Sequence, residues 1–134
     1  MSRSSIIDSD YLETLTPQEL VAHISHAFCN LDMKMIRTLV TKFGADVNLP
    51  KNEQDIFPFW CEAIRCENAA MCDLFLALGA NPNSKTHRNG YTPLHLAYEY
   101  YNKDVVEVLL KYGANPMIES LEGLRPIDMP KYRF

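Results

Sequence analysis

This 134-residue chain is poor in the residues that usually mark chemistry: it has one tryptophan, five glycines and four cysteines. The glycines stand apart at 44, 79, 90, 113 and 123, so no glycine-rich loop can cradle a phosphate. Four cysteines sit at 29, 61, 66 and 72, and Cys61, Cys66 and Cys72 form no Cys-x-x-Cys pair and have no helpful histidine nearby. They read as reduced thiols lodged in helices. His23 and His26 lie one helical turn apart, but without a third ligand they read as packed or solvent-facing rather than metal-binding. There is no nucleophile elbow and no His-Glu-x-x-His. No apolar run approaches a membrane span, and Met1 to Asp10 lacks the apolar centre of a secretion signal. Positive charge is short as well, with thirteen basic against seventeen acidic residues and a net charge of −4. A general attraction to nucleic acid or anionic lipid is therefore not expected. These absences predict no catalytic residue, no cofactor, no metal, and no nucleic-acid or membrane partner. The compartment they fit is a reducing one, cytoplasm or nucleus.

What is present is a folded composition, 47% hydrophobic and 22% charged, and a pattern. Thr92 can cap a helix through its hydroxyl, and Pro93 suits the first helical position because its missing N–H would have no partner there. After a polar break at Asn102-Lys103-Asp104, Val105, Val106, Leu109 and Leu110 recur at the steps of an apolar helical face. Gly113 can take the left-handed conformation that ends this second helix. Such a hairpin is too small to hide its own apolar face and needs neighbours like itself.

The chain supplies them. Gly113-Ala114-Asn115 has earlier counterparts in Gly79-Ala80-Asn81 and Gly44-Ala45-Asp46, at spacings of 34 and 35 residues, each after an apolar segment. Self-similarity at this period is the mark of a solenoid. The run Gly90-Tyr91-Thr92-Pro93-Leu94-His95-Leu96-Ala97, the segment Val105 to Leu110 and Gly113-Ala114-Asn115 resemble the ankyrin-repeat signature, and the resemblance extends from about Thr16 to Met129. It implies an all-α solenoid of about three helix-turn-helix repeats, with β-hairpin-like finger loops and a partial C-terminal repeat. The division is a tail or short cap over 1–15, repeats over 16–50, 51–84 and 85–118, and a partial repeat or cap over 119–134.

In chain order, Tyr11, Leu12 and Leu15 are expected to fold back over the first repeat. Thr16-Pro17-Gln18-Glu19 carries the reciprocal capping arrangement, with Leu20, Ile24 and Ala27 on the apolar face. The following helix should run from about Asp32 to Phe43. In the second repeat Trp60 takes the place of a core leucine and reads as an oversized core filler. Cys61 replaces the motif histidine, so the histidine's hydrogen bonds are lost. Phe59, in the first turn, is either a packing adjustment or a contact residue. The next helix spans about Ala69 to Leu78. The second finger carries Lys85, His87 and Arg88, between fingers bearing Glu53 and Asp55 on one side and Glu119 and Glu122 on the other. That contrast is either a partner-selection device or ordinary loop variation. Arg125 and Asp128 replace the threonine and histidine of the motif in the last unit, Pro130 stops its helix, and Ile127 and Met129 are expected to cover the third repeat. His95 is expected to be structural.

The resemblance implies a protein-binding module, an adaptor, scaffold or inhibitor, whose partner-facing residues lie on the fingers and the exposed side of each first helix. By motif position these are Asn52, Gln54, Asp55, Phe57, Arg65 and Cys66; Thr86, Arg88, Asn89, Tyr91, Glu99 and Tyr100; and Glu119, Leu121, Glu122 and Leu124. Phe57, Arg65, Tyr91 and Tyr100 are the expected anchors. The partner is another protein, with the chain itself a monomer or weakly self-associating. The alternatives are the recognition part of a larger enzyme or effector, and a substrate of an asparaginyl hydroxylase. For the last, Asn48 and Asn83 match the family's modified position and Met117 does not.

Overall fold

Residues 9–52, 54–86, 88–100 and 102–129 are described by a computed structural model. Glu53, His87, Tyr101, Pro130 and the 131–134 tail lie outside the described residues. The elements are helices α1 (Ser9–Glu13), α2 (Pro17–Cys29), α3 (Met33–Thr41), α4 (Glu62–Arg65, entered through a 3₁₀ turn at Phe59–Cys61), α5 (Ala69–Ala77), α6 (Pro93–Glu99) and α7 (Lys103–Lys111), then a 3₁₀ turn at Pro126–Asp128.

Each first helix ends the same way. The backbone N–H groups of Asp32, Asn68 and Asn102 donate back to the carbonyls of Ala27, Ala63 and Ala97 at 2.8, 2.9 and 3.2 Å. This closes the helix and reverses the chain. Leu31 and Glu67 adopt positive φ of 55° to make the first two of these turns. The same Asp32, Asn68 and Asn102 then accept from the N–H groups of Met35, Met71 and Val105, each at 3.0 Å. One side chain thus caps each second helix just after its backbone has closed the first. Gly44, Gly79 and Gly113, at φ of 71°, 106° and 93°, end the second helices in like surroundings.

The helices pack through one continuous core. Ile24, Ile36, Leu39, Ile64, Met71, Phe75, Leu94 and Leu109 are buried. Each such side chain contributes roughly 1.5–3 kcal/mol by leaving water. Trp60 is fully buried, as expected of a core filler, and its indole N–H has no hydrogen-bond partner. Phe59 proves to be a packing residue: it is 6% exposed and meets Phe28 edge-on at 5.6 Å. Phe28 in turn lies 6.2 Å from Phe75, so one aromatic chain joins the first unit to the second.

The ends differ from the middle. Leu12 of α1 is buried and Leu15 partly so, while Tyr11 is exposed and meets His23 edge-on at 5.8 Å. Leu76 of α5 is buried, but Leu110, one repeat later on α7, is exposed because no described helix follows to cover it. Ile127 departs from expectation in the same way. It is 53% exposed, and Met129 alone of the pair is buried, because a single 3₁₀ turn can direct only one of the two inward.

Candidate protein-interaction surface

Four helix starts along the chain solve one problem differently. A residue just before a helix has a backbone N–H to satisfy, and the side chain three positions on can reach it. Glu19 Oε1 accepts from the Thr16 N–H at 2.9 Å, His95 Nδ1 from Thr92 at 3.0 Å, and Asp128 Oδ2 from Arg125 at 3.0 Å. The second unit has Pro58 and Cys61 at these places. Proline has no N–H to offer, so the lost histidine leaves no orphan there. Because His95 Nδ1 accepts, its proton sits on Nε2, which donates to the Leu124 carbonyl at 2.8 Å and ties α6 to the next loop. His95 is buried and fully occupied in holding structure.

The loops between units project as fingers and are bonded to one another. Asn48 Oδ1 accepts from the Asn81 N–H at 2.7 Å and its Nδ2 donates to the Gly79 carbonyl at 3.1 Å. Asn83 repeats this with Asn115 at 2.7 Å and Gly113 at 3.3 Å. On the first finger Gln18 donates to the carbonyls of Pro50 and Lys51 at 2.9 and 2.6 Å, while Asn52 and Asp55 accept from the N–H groups of Gln54 and Phe57. On the second, Gly90 takes φ of 81°, and a Cβ there would sit 3.3 Å from the Leu121 nitrogen. That nitrogen donates to the Asn89 carbonyl at 2.7 Å, which fixes the third finger against the second.

The expected contact residues gather in two places. A cleft of about 300 Å³ between the first two fingers is lined by Gln54, Asp55, Phe57, Arg65, Thr86 and Arg88, together with Ile56 and Glu62. Arg65 lies 5.6 Å over the Phe57 ring and 3.6 Å from Glu62. The second place is centred on Tyr91, whose ring stacks on His95 at 5.2 Å and 6°. Its hydroxyl approaches Glu122 at 3.5 Å. Burial, and then the negative charges of Glu122 and Glu99, raise the Tyr91 phenol above its ordinary value. Glu99 and Tyr100 close α6 half-buried. Glu119, Leu121 and Glu122 are exposed on the third finger, and Leu124 is half-buried beside them.

Two expectations change. Thr86 is only 3% exposed, and both its N–H and its hydroxyl donate to the Tyr91 carbonyl, at 2.8 and 3.0 Å. It braces the second finger from inside and reaches the cleft only at its floor. Ile56 and Glu62, by contrast, line the cleft although motif position did not single them out. The sign available in the sequence was Ile56 itself, an apolar residue where the third unit has Gly90. Cys66 is exposed at the end of α4, its thiol raised chiefly by burial. Among the described residues no group of three His, Cys, Asp or Glu side chains is placed to hold a metal ion, and no helix is long and apolar enough to cross a membrane.

Stacked helix pairs closed alike, with fingers laddered by asparagine, define a helical-repeat solenoid. The chain belongs to the ankyrin-repeat family: that family's pattern, in three copies, matches residues 23–120. A putative ankyrin repeat protein of fowlpox virus is 33% identical over 93 residues, 69% of this chain and 27% of that protein. The 2-5A-dependent ribonuclease of Homo sapiens is 35% identical over 65 residues, covering 48% of this chain and 9% of the ribonuclease. A BTB/POZ domain and ankyrin repeat-containing protein of Lotus japonicus is 28% identical over 109 residues, 81% of this chain and 21% of its own length. The chain thus spans from 9% to 27% of the length of these three relatives. Among solved structures, the ankyrin repeat domain of Bcl-3 superposes with a TM-score of 0.70 at 21% identity, over 80% of this chain and 46% of that one, and so shares the fold.

Proposed function

We propose that the chain is a non-catalytic protein-interaction module, an adaptor, scaffold or inhibitor, that seats another protein on a concave face made by its fingers and first helices. Ankyrin repeats generally mediate protein–protein contact, and one observation favours this face: Tyr91 is half-exposed yet held flat on His95, a residue itself locked at both ring nitrogens. An aromatic anchor already held in place loses little freedom on binding. A reducing compartment, cytoplasm or nucleus, suits its free cysteines. The test is affinity capture of a partner with the intact chain and with Tyr91→Ala combined with Tyr100→Ala. The double variant should lose the partner, while its melting temperature stays close to that of the parent. Undiminished capture removes this face from consideration.

A second reading, the recognition part of a larger enzyme or effector, is favoured by the small share of each relative that the chain spans. An intact-mass measurement on native material decides it. A mass matching this sequence alone would end that reading.

A further inference from the structure

Resting on the interaction-module reading above, we infer that the third-finger end of this face is a docking site for an extended partner segment that alternates basic and apolar side chains. Charge complementarity carries the choice of partner. Glu99, Glu119 and Glu122 make no ion pair with any described residue. Arg125, the described cation nearest to Glu119 and Glu122 in sequence, is held chiefly by Asp128, through Nε at 3.0 Å and a second guanidinium nitrogen at 3.4 Å, with Glu119 a lesser influence on it. Arg88 lines the other cleft, beside Phe57. The hydroxyl of Tyr91 approaches the Glu122 carboxylate at 3.5 Å, so aromatic ring and negative charge lie side by side. A lysine or arginine arriving here would meet an aromatic ring and carboxylates that no described cation neutralises in an ion pair, which attract it by different means.

The apolar half of the partner follows from Leu121. It is 77% exposed between Glu119 and Glu122, with Leu124 half-buried close by. The tip that carries it is fixed by the bond from its own N–H to Asn89 and by the close approach of Gly90. Ser120 holds the same loop from within, accepting from the N–H groups of Glu122 and Leu124 at 3.2 Å each. A leucine and carboxylates presented on a braced loop suit a partner strand whose side chains alternate in the same way.

The experiment titrates ¹⁵N-labelled chain with a short synthetic peptide alternating lysine and leucine, and with a counterpart in which glutamate replaces lysine. The lysine peptide should move the amides of Tyr91, Glu99, Leu121 and Leu124, and the glutamate peptide should leave them in place. Glu99→Gln with Glu122→Gln, whose unperturbed amide spectrum verifies the fold, should weaken the lysine peptide about tenfold. Equal binding of the two peptides, no shift with the lysine peptide at millimolar concentration, or an unchanged affinity in the glutamine variant each overturns the inference. Loss of binding in Tyr91→Ala with Tyr100→Ala but not in the glutamine variant leaves the face in use and removes only its charge preference. Shifts confined to other parts of the chain remove the face itself.

Discussion

The side-chain oxygen of Asn48 accepts the backbone N–H of Asn81 at 2.7 Å, and one unit later Asn83 and Asn115 repeat the bond at the same length. These two rungs join fingers that share no helix. They are the reason the loops behave as an array and not as independent tips.

Removing a rung should therefore loosen fingers without unfolding the core. Asn48→Ala and Asn83→Ala are each expected to cost about 1–3 kcal/mol, since two backbone groups lose their partner in each case. Urea unfolding measures the cost, and amide exchange at Asn81 and Asn115 should rise in the corresponding variant. The same geometry bears on asparaginyl hydroxylation: both amides are engaged at each end, so any added oxygen should appear faster on unfolded than on folded chain by mass spectrometry.

Trp60 offers a test in which a smaller residue is not a loss. Its N–H is buried without a partner, a cost on the order of 1–3 kcal/mol, so Trp60→Phe should lie within about 1 kcal/mol of the parent despite its reduced volume. Trp60→Ala should cost about 3–5 kcal/mol, because it leaves a cavity in the buried core. Chemical denaturation of both variants, followed by far-ultraviolet circular dichroism, separates the two effects. A large loss in the phenylalanine variant would point to shape, not polarity, as what that site demands.

The thiols divide by environment. Burial pushes Cys72 up to about 12 and Cys61 well above its ordinary value, whereas Cys29 and Cys66 are exposed. Iodoacetamide at mildly alkaline pH should add two labels to the folded chain, at Cys29 and Cys66, and four once denatured. Peptide mapping reads the positions directly, and early labelling of Cys72 would contradict the packing.

Acid should expose the first capping arrangement. The N–H and hydroxyl of Thr16 hold the Glu19 carboxyl below its ordinary value of 4.5. A depressed carboxylate lends stability that is complete above that ordinary value and disappears as pH falls through the lower folded one. Glu19→Gln should thus melt below the parent at neutral pH, with the two curves converging in acid below 4.5. A constant gap at every pH would assign the effect to something other than ionisation.

Much of this was legible from residue type and spacing, because helix starts and stops are local. Thr16 with Glu19, Thr92 with Pro93, and the glycines at 44, 79 and 113 each act within a few residues of themselves, and each is found at work. Where motif position left a residue's role open or incomplete, the answer lay in packing around it. Thr86 turns inward to bond Tyr91, and Phe59 is buried against Phe28, thirty-one residues earlier in the chain. Ile127 and Leu110 stay exposed because nothing described is stacked beyond them. Of the proposed contact surface, the sequence showed which residue types are present, while their grouping into a cleft at Phe57 and an acidic, aromatic place at Tyr91 depends on how the fingers are held together.

The absence of a donor at Pro58 and of an acceptor at Cys61 has a consequence for how this sequence can drift. A threonine at 58 alone would bring back an amide proton with no acceptor three positions on, and a histidine at 61 alone would enter a buried position with no backbone N–H at 58 for its ring to accept. The two positions are therefore coupled, and the penalty of changing either one depends on what stands at the other.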